Sequence, residues 1–457
     1  MGRDEARTPS PAEGGDRVIG GEVDSYYART RTETRDFPRL DHDLDVDVVV
    51  VGGGLAGCAT ALDLAERGVE VALIESRSIG WGASGRNGGF ASQAFPIGWQ
   101  ALAGRVGLDS TRQIQRIARL GLDLVRQRID AYAIDCGPLQ PGALRCNIAG
   151  SRDDLVALRE FMALNFDLHH DHWPAEQVRE ALSTDRYADA LFTSTTFAVH
   201  PLNLTCGLAR ACAEAGVQVF ENTPATGLAA AKGRKAVATS RGRITADRVV
   251  LTCGGYIDRL EARVSGGTVP IASFVMATEP LGARLREAIR VPYAIYDNQV
   301  ATNYYRPLHD TRLLWGGRVL AWQPPPARIA ALLKRDMVSF YPALRDARVD
   351  VAWGGMMPFT RHKLPVIGQV EPDVWYATGF GGLGVTLTSA AGHLIARGIV
   401  EGDDTWRLFE DFGLPYAGGK LGKVPAQMVY WGHQFRAGWA RHRTGRLQTR
   451  SALRARP

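Results

Sequence analysis

Val48-Val49-Val50-Val51-Gly52-Gly53-Gly54-Leu55-Ala56-Gly57 decides the fold. Four consecutive valines predict a strand buried on both faces of a parallel sheet, because an unbroken β-branched run fits only where neither face meets water. Gly52 allows the tight turn, Gly54 lets the backbone approach a pyrophosphate, and Gly57 lets the next helix lie close to the strand. That helix is expected from Cys58 to Arg67, with Gly68 just beyond its end. A second buried strand is expected from Val69 to Ile74, followed by Glu75, Ser76 and Arg77. The helix N-terminus directs N–H groups and a positive dipole end at phosphates. The Glu75 carboxylate can accept hydrogen bonds from ribose hydroxyls and would repel a 2′-phosphate, which disfavours NADP. A lone GxGxxG is weak evidence; strand, glycines, helix, strand and acid in this order mark a dinucleotide site.

A second glycine loop follows at once, Gly82-Ala83-Ser84-Gly85-Arg86-Asn87-Gly88-Gly89. Farther on, Leu204 to Ala215 predicts an amphipathic helix and Val217 to Phe220 a strand. A hairpin end at Gly242 to Asp247 leads into the buried strand Arg248 to Thr252, which runs into Cys253-Gly254-Gly255. Val374 to Thr378, then Gly379-Phe380-Gly381-Gly382-Leu383-Gly384-Val385-Thr386, repeats the order strand, glycine loop, helix. Helices are also expected at Thr111–Tyr132, Asp153–Leu164, Ala175–Leu182, Arg328–Phe340 and Leu387–Val400. Alternating strand and turn signals fill residues 269 to 351.

These signals predict an α/β fold with an α+β substrate part: a Rossmann-like FAD-binding domain carrying an inserted antiparallel-sheet substrate domain. Residues 1–45 read as a polar extension. Residues 46–105, 198–268 and 352–405 form the discontinuous FAD-binding domain. The substrate domain takes 106–197 and 269–351, and 406–457 is a C-terminal extension with a basic tail.

The chain has 457 residues, 45% hydrophobic and 22% charged, the profile of a water-soluble globular protein. No apolar run is long enough to span a bilayer, and Met1-Gly2-Arg3-Asp4-Glu5 opens no secretory signal, so a cytoplasmic protein is expected. The six cysteines form no CxxC pair or zinc-like cluster, so no metal is expected. Net charge is +6, but the last 46 residues hold two lysines, seven arginines and no acid. Arg436 to Arg456 reads as a solvated tail, with a membrane surface or nucleic acid as lesser alternatives; no nucleic-acid function is expected.

On these motifs the chain resembles the D-amino-acid oxidase-like FAD-dependent oxidoreductases. Four elements carry the resemblance: the first loop with Glu75, Gly80-Trp81 through Gly89, the His200-Pro201 to Gly255 block, and Gly379 to Gly384. Asp24-Ser25-Tyr26-Tyr27, the Ala-Ser-Gly-Arg-Asn-Gly-Gly loop, Tyr304-Tyr305-Arg306-Pro307 and Gly316-Gly317 are most similar to the gamma-glutamylputrescine oxidoreductase branch. The resemblance implies FAD contacts at Gly52, Gly53, Gly54, Leu55, Ala56, Gly57, Glu75, Ser76 and Arg77. It extends them to Gly82, Ala83, Ser84, Arg86, Asn87, Gly88 and Gly89, and to Ala225, Cys253 and Gly254. The last set is Gly379, Gly381, Gly382, Leu383, Gly384, Val385 and Thr386.

Three departures from relatives are informative. Arg86 stands where some relatives link flavin through histidine, and no cysteine follows Cys253, so the resemblance implies non-covalent FAD. Glycine and D-amino-acid oxidases hold the substrate carboxylate with an arginine before a proline; here the stretch is Met356-Met357-Pro358. That favours an amine without an α-carboxylate, although Arg361 lies close in sequence. Finally, no lysine occurs between Ala236 and Leu333, where sarcosine-oxidase-like members carry their oxygen-activating lysine, so the electron acceptor is either oxygen or a carrier.

The implied reaction is hydride transfer from the carbon next to a neutral amine to the flavin, then hydrolysis of the imine to an aldehyde. Tyr304, Tyr305 and Arg361 are the candidates for shaping the pocket. An amino-acid oxidase or dehydrogenase is the alternative within enzymes, and an FAD-binding non-catalytic subunit the alternative outside them.

Overall fold

The computed structural model describes residues 18–19, 22–148, 153–299 and 302–431. The expected tail at Arg436 to Arg456, most of the opening extension and Ala301 lie outside the described residues.

Two sheets organise the chain. The first has a parallel centre. Leu44–Val51 lies between Val71–Ile74 and Arg243–Leu251, and Gln218–Phe220 flanks Val71–Ile74. Arg243–Leu251 is continuous where a hairpin end and a separate strand were expected. Its first half pairs with the hairpin Gly227–Ala231/Arg234–Ala238 and its last three residues with Val374–Thr378. Val48, Val49 and Val50 are fully buried, as a strand covered on both faces requires.

Register then positions the site. Phe220, Ile74, Val51, Leu251 and Tyr376 are successive partners across the parallel strands. All five strands therefore end together, and the loops that follow them leave the sheet along one edge. Ligands of open parallel sheets bind at that carboxyl edge.

Leu55–Ala65, Pro201–Glu214 and Gly384–Val400 are the principal helices against this sheet, and Leu108–Ala131 packs on Gly384–Val400. Gly392 packs so closely on the first of them that a Cβ there would lie 2.7 Å from the Thr60 nitrogen. Pro201–Glu214 begins earlier than expected, because His200 Nδ1 accepts the Asn203 N–H (3.1 Å) and Pro201 occupies the first turn. Asp63 is buried where three helices meet. It accepts from Arg128, from His393 Nδ1 (3.0 Å) and from Arg67 Nη1 (3.2 Å).

The second sheet runs in the order Val349–Thr360, Thr268–Thr278, Leu313–Leu320, Tyr304–Pro307, Ala294–Asp297, Gln140–Ile148, Tyr187–Ala198, Phe90–Ala91. Every pair on that path is antiparallel except Ala294–Asp297 with Gln140–Ile148. One of its faces packs Phe274, Tyr305 and Trp315 with Leu333 and Met337 of the helix Pro326–Phe340, a second apolar core.

The expected boundaries need two amendments. Val349–Thr360 pairs along its length with Thr268–Thr278, so the second sheet reaches Thr360 rather than ending at 351. Leu108–Ala131, expected in the substrate part, packs on Gly384–Val400 and reaches Asp63 through Arg128. Its apolar stripe had identified a helix but could not say which element the stripe would cover.

Candidate functional site

The first glycine loop has the close packing its sequence demands. Gly52 has φ +113°, and a Cβ on Gly57 would overlap the Gly52 carbonyl oxygen. Glu75 ties the two strand ends together. Its Oε2 accepts the Gly53 N–H (2.8 Å), and Oε1 accepts from Ser76 Oγ and the Arg77 N–H (2.9 Å each). An ionised carboxylate offers about four acceptor positions, so capacity remains for a ribose hydroxyl. Asn222 N donates to the Arg77 carbonyl and Thr223 N to that of Glu75 (2.8 Å each), which brings the loop carrying Ala225 beside Glu75.

The second loop locks onto the first. Ser84 Oγ accepts the Leu55 N–H (2.9 Å), so a residue expected only to touch cofactor also caps the dinucleotide helix. Asn87 holds its own loop. Nδ2 donates to the Ser84 and Ala83 carbonyls (2.8 and 3.1 Å), and Oδ1 accepts the Gly89 N–H (2.8 Å). Arg86 is buried, its guanidinium 4.2 Å from the Trp81 ring centroid and its Nη1 donating to the Gly354 carbonyl (3.2 Å). A fixed cation thus sits inside this loop.

Asp24-Ser25-Tyr26-Tyr27 reaches the same place from behind. Ser25 caps the short helix Tyr26–Arg29, and the buried Tyr27 packs edge-on to Trp353 (5.6 Å) and His200 (5.0 Å). Trp353 Nε1 donates to the Arg86 carbonyl (2.9 Å). Burial, with Arg306 nearby, lowers His200 to about 4, so its ring is neutral. With Nδ1 accepting, Nε2–H donates to Thr30 Oγ1 (3.1 Å).

The remaining loops close on this pair. Cys253 Sγ donates to the Val51 carbonyl (3.4 Å), and burial pushes its thiol up to about 12. Tyr256, not among the expected site residues, packs edge-on to Trp81 (5.4 Å) and accepts the Met356 N–H on its hydroxyl (3.2 Å). The sequence signal was Gly254-Gly255 at a strand end; only the fold brings the next residue to the second loop. Gly384–Val400 starts without a side-chain cap, so its N-terminal N–H groups have no such partner. Thr386 faces the second loop's continuation, its Oγ1 accepting the Ser92 N–H (3.0 Å).

Strand Val349–Thr360 crosses these loops. A Cβ on Gly355 would lie 3.4 Å from Arg86 Cβ, on Gly255 3.2 Å from the Met356 carbonyl oxygen, and on Gly382 3.5 Å from Met357 Sδ. The Met357 thioether therefore stands where the strand meets the C-terminal glycine loop, while Met356, its neighbour on the opposite face, packs its side chain on the second core.

Of the expected pocket residues, Tyr304 belongs here. Its ring is edge-on to Phe90 (5.9 Å), and a Cβ on Gly88 would lie 2.8 Å from its Cε2. Burial raises its phenol to about 12, so it acts as a neutral hydroxyl. Tyr305 corrects the expectation. Neighbours along a strand face opposite ways, and Tyr305 is fully buried in the second core, stacked on Trp315 (4.3 Å) and hydrogen-bonded to Tyr187 and Tyr341. Arg361 is exposed in the turn after Thr360, beyond the part of the strand that touches Arg86 and Gly382.

The donor set fits FAD: close-packed glycines at two helix starts, an acid with spare acceptor capacity, a buried cation, and a helix start with no side-chain cap. Among the described residues no His, Cys, Asp and Glu cluster could hold a metal, and no helix is long and apolar enough to cross a membrane.

Comparison with known proteins agrees. The chain is 31% identical over 414 residues to the probable oxidoreductase OrdL of Haemophilus influenzae, covering 89% of this chain and 95% of the relative. It is 32% identical over 410 residues to gamma-glutamylputrescine oxidoreductase of Escherichia coli, covering 88% and 95%. Glycine oxidase of Geobacillus kaustophilus shares the fold with TM-score 0.66 at 22% identity over 79% of this chain and 96% of that one. L-proline dehydrogenase of P. horikoshii does so with TM-score 0.67 at 21% identity, over 82% and 96%. The sequence pattern of the DAO family, FAD dependent oxidoreductase, matches residues 47–397. Carrying that pattern over most of its length, this chain belongs to the DAO family of FAD-dependent oxidoreductases, with FAD as its cofactor.

Proposed function

We propose that this chain oxidises the C–N bond of a primary or secondary amine without an α-carboxylate, of the gamma-glutamylputrescine type. The observation that carries the reading is Met357, whose sulfur stands against Gly382 at the position before Pro358 where amino-acid oxidases of the family use an arginine. Its thioether supplies polarisable apolar contact and no partner for a carboxylate. Similarity to the Escherichia coli enzyme over 88% of the chain points the same way.

Bound FAD supplies the acceptor for the hydride. The neutral phenol of Tyr304 and the apolar Phe90 and Met357 exclude water and favour an uncharged amine, the form whose carbon can release hydride. Loss of hydride leaves an iminium, which water converts to an aldehyde and the smaller amine or ammonia. Buried Arg86 and the uncapped start of Gly384–Val400 favour negative charge on the cofactor ring. The protonated Cys253 thiol is a poor nucleophile, which supports FAD held without a covalent bond. The lack of lysine between Ala236 and Leu333 supports an electron carrier over oxygen.

The test is anaerobic bleaching of the purified yellow protein by polyamines, acylated polyamines, N-methyl amino acids and D-amino acids, followed by air. Acylated polyamines or other plain amines should bleach it fastest, and recolouring in air should be slow. Fastest bleaching by an α-amino acid would overturn the reading in favour of an amino-acid dehydrogenase. No bleaching by any of them would favour a non-catalytic FAD-binding subunit. Acid precipitation should release all the yellow colour into the supernatant; colour retained in the pellet would contradict non-covalent binding.

A further inference from the structure

Residues 423–431 form a helix that docks against the second sheet with its polarity reversed. Its inward side is polar: Gln427 Oε1 accepts the Ala321 N–H (2.8 Å), and the buried Tyr430 hydroxyl accepts the Val319 N–H (3.4 Å). Its outward side is apolar without interruption: Val424, Pro425, Met428, Val429 and Trp431, extended by Leu421 one turn earlier. Val424 is 57% exposed, Met428 62% and Leu421 81%. Trp322, half exposed, stands edge-on to Trp431 at 6.0 Å and widens the patch. A helix on a globular surface ordinarily turns its apolar stripe inward. A contiguous exposed stripe of this kind marks an interaction surface.

We propose that this face rests on an anionic lipid bilayer. Charge selects the occupant. From Phe412 to Pro457 the sequence holds nine cations and no acid, seven of the cations being arginines after Trp431. Lys420 is paired with Asp258 at 2.7 Å, so that carboxylate already has a partner. An apolar helix face with tryptophan at its rim, followed in sequence by seven arginines, is matched by acyl chains beneath anionic headgroups. A second copy of the chain on the same face would bring two such cationic segments together. The chain's own continuation holds no acid of its own, and folded onto the patch it would set guanidinium groups against apolar side chains.

Flotation of the full-length holoenzyme with vesicles tests this. The wild type should float with phosphatidylcholine vesicles containing roughly one third phosphatidylglycerol and not with pure phosphatidylcholine. Binding should fall at least about tenfold at about 0.5 M salt. Val424→Glu/Met428→Glu should lose at least about tenfold in vesicle binding at unchanged FAD content and amine-dependent bleaching. Replacing Arg441, Arg443 and Arg446 by Gln should weaken it similarly. Wild type that fails to float with phosphatidylglycerol vesicles overturns the proposal. So does binding lost with the arginines but indifferent to the helix substitutions, which would be unspecific attraction to polyanions. A concentration-dependent dimer in light scattering, abolished by Val424→Glu/Met428→Glu, would instead assign the face to a second copy.

Discussion

Met357 carries the substrate reading, because its sulfur is the side-chain atom nearest Gly382. Substituting Met357→Arg would place a guanidinium beside the cofactor loops, able to pair with a carboxylate in a fork. Relative kcat/KM should shift toward α-amino acids by about tenfold or more, about 1.4 kcal/mol of differential transition-state binding. Anaerobic reductive half-reactions with an amine and its α-carboxylated analogue measure the ratio. An unchanged ratio with intact FAD content would mean that position 357 does not face substrate. Single residues also show how sequence reading can fail. Tyr304 and Tyr305 are equivalent on paper, but strand alternation sends one to the second glycine loop and the other into the core.

At the scale of elements, the helices behind the first sheet are held by charge as well as by apolar packing. Asp63 and Arg128 are both buried, and burial lowers Arg128 to about 10. Removing one member leaves the other charge unpaired in the interior, so Asp63→Ala should cost about 3–5 kcal/mol. The apolar double replacement Asp63→Leu/Arg128→Met should recover most of that loss, and the urea midpoints of the three proteins test it. His200, the cap of Pro201–Glu214, gives a pH signature. Its folded value is about 4 against an ordinary 6.5, so between these pH values the unfolded chain takes up a proton that the fold refuses. Stability from this residue is complete above about pH 6.5 and declines as pH falls toward about 4, by up to roughly 3 kcal/mol. His200→Asn keeps a side-chain oxygen for the cap and removes the titration. Its stability should therefore fall less steeply than wild type between pH 6.5 and pH 4; parallel curves would refute the assignment.

At the scale of the whole molecule, the residues that would hold FAD run from Gly52 to Thr386 and come from loops that the register of five strands brings to one edge. Binding there draws on the folded chain as a unit, so FAD should stabilise all of it. Saturating the apoprotein to about 100 times Kd should add about 2.7 kcal/mol and raise the midpoint of a single thermal transition. Calorimetry showing two transitions, one indifferent to FAD, would mean that the two sheets unfold separately. The dinucleotide strand, its glycines and Glu75 were legible in the sequence because each is a local demand of backbone or solvation. Gly57 must lack a side chain where helix meets strand, and four valines need cover on both faces. The same locality made most helices readable to within a few residues. Tertiary structure alone decided that Val349–Thr360 joins the second sheet and that Leu108–Ala131 packs on Gly384–Val400. It alone brought Ser84 to cap a helix from another loop and set Tyr256 and Met357 beside the glycines. Periodicity specifies that a face is apolar; which partner covers it depends on pairings between residues hundreds of positions apart, and those are settled only when the chain closes on itself.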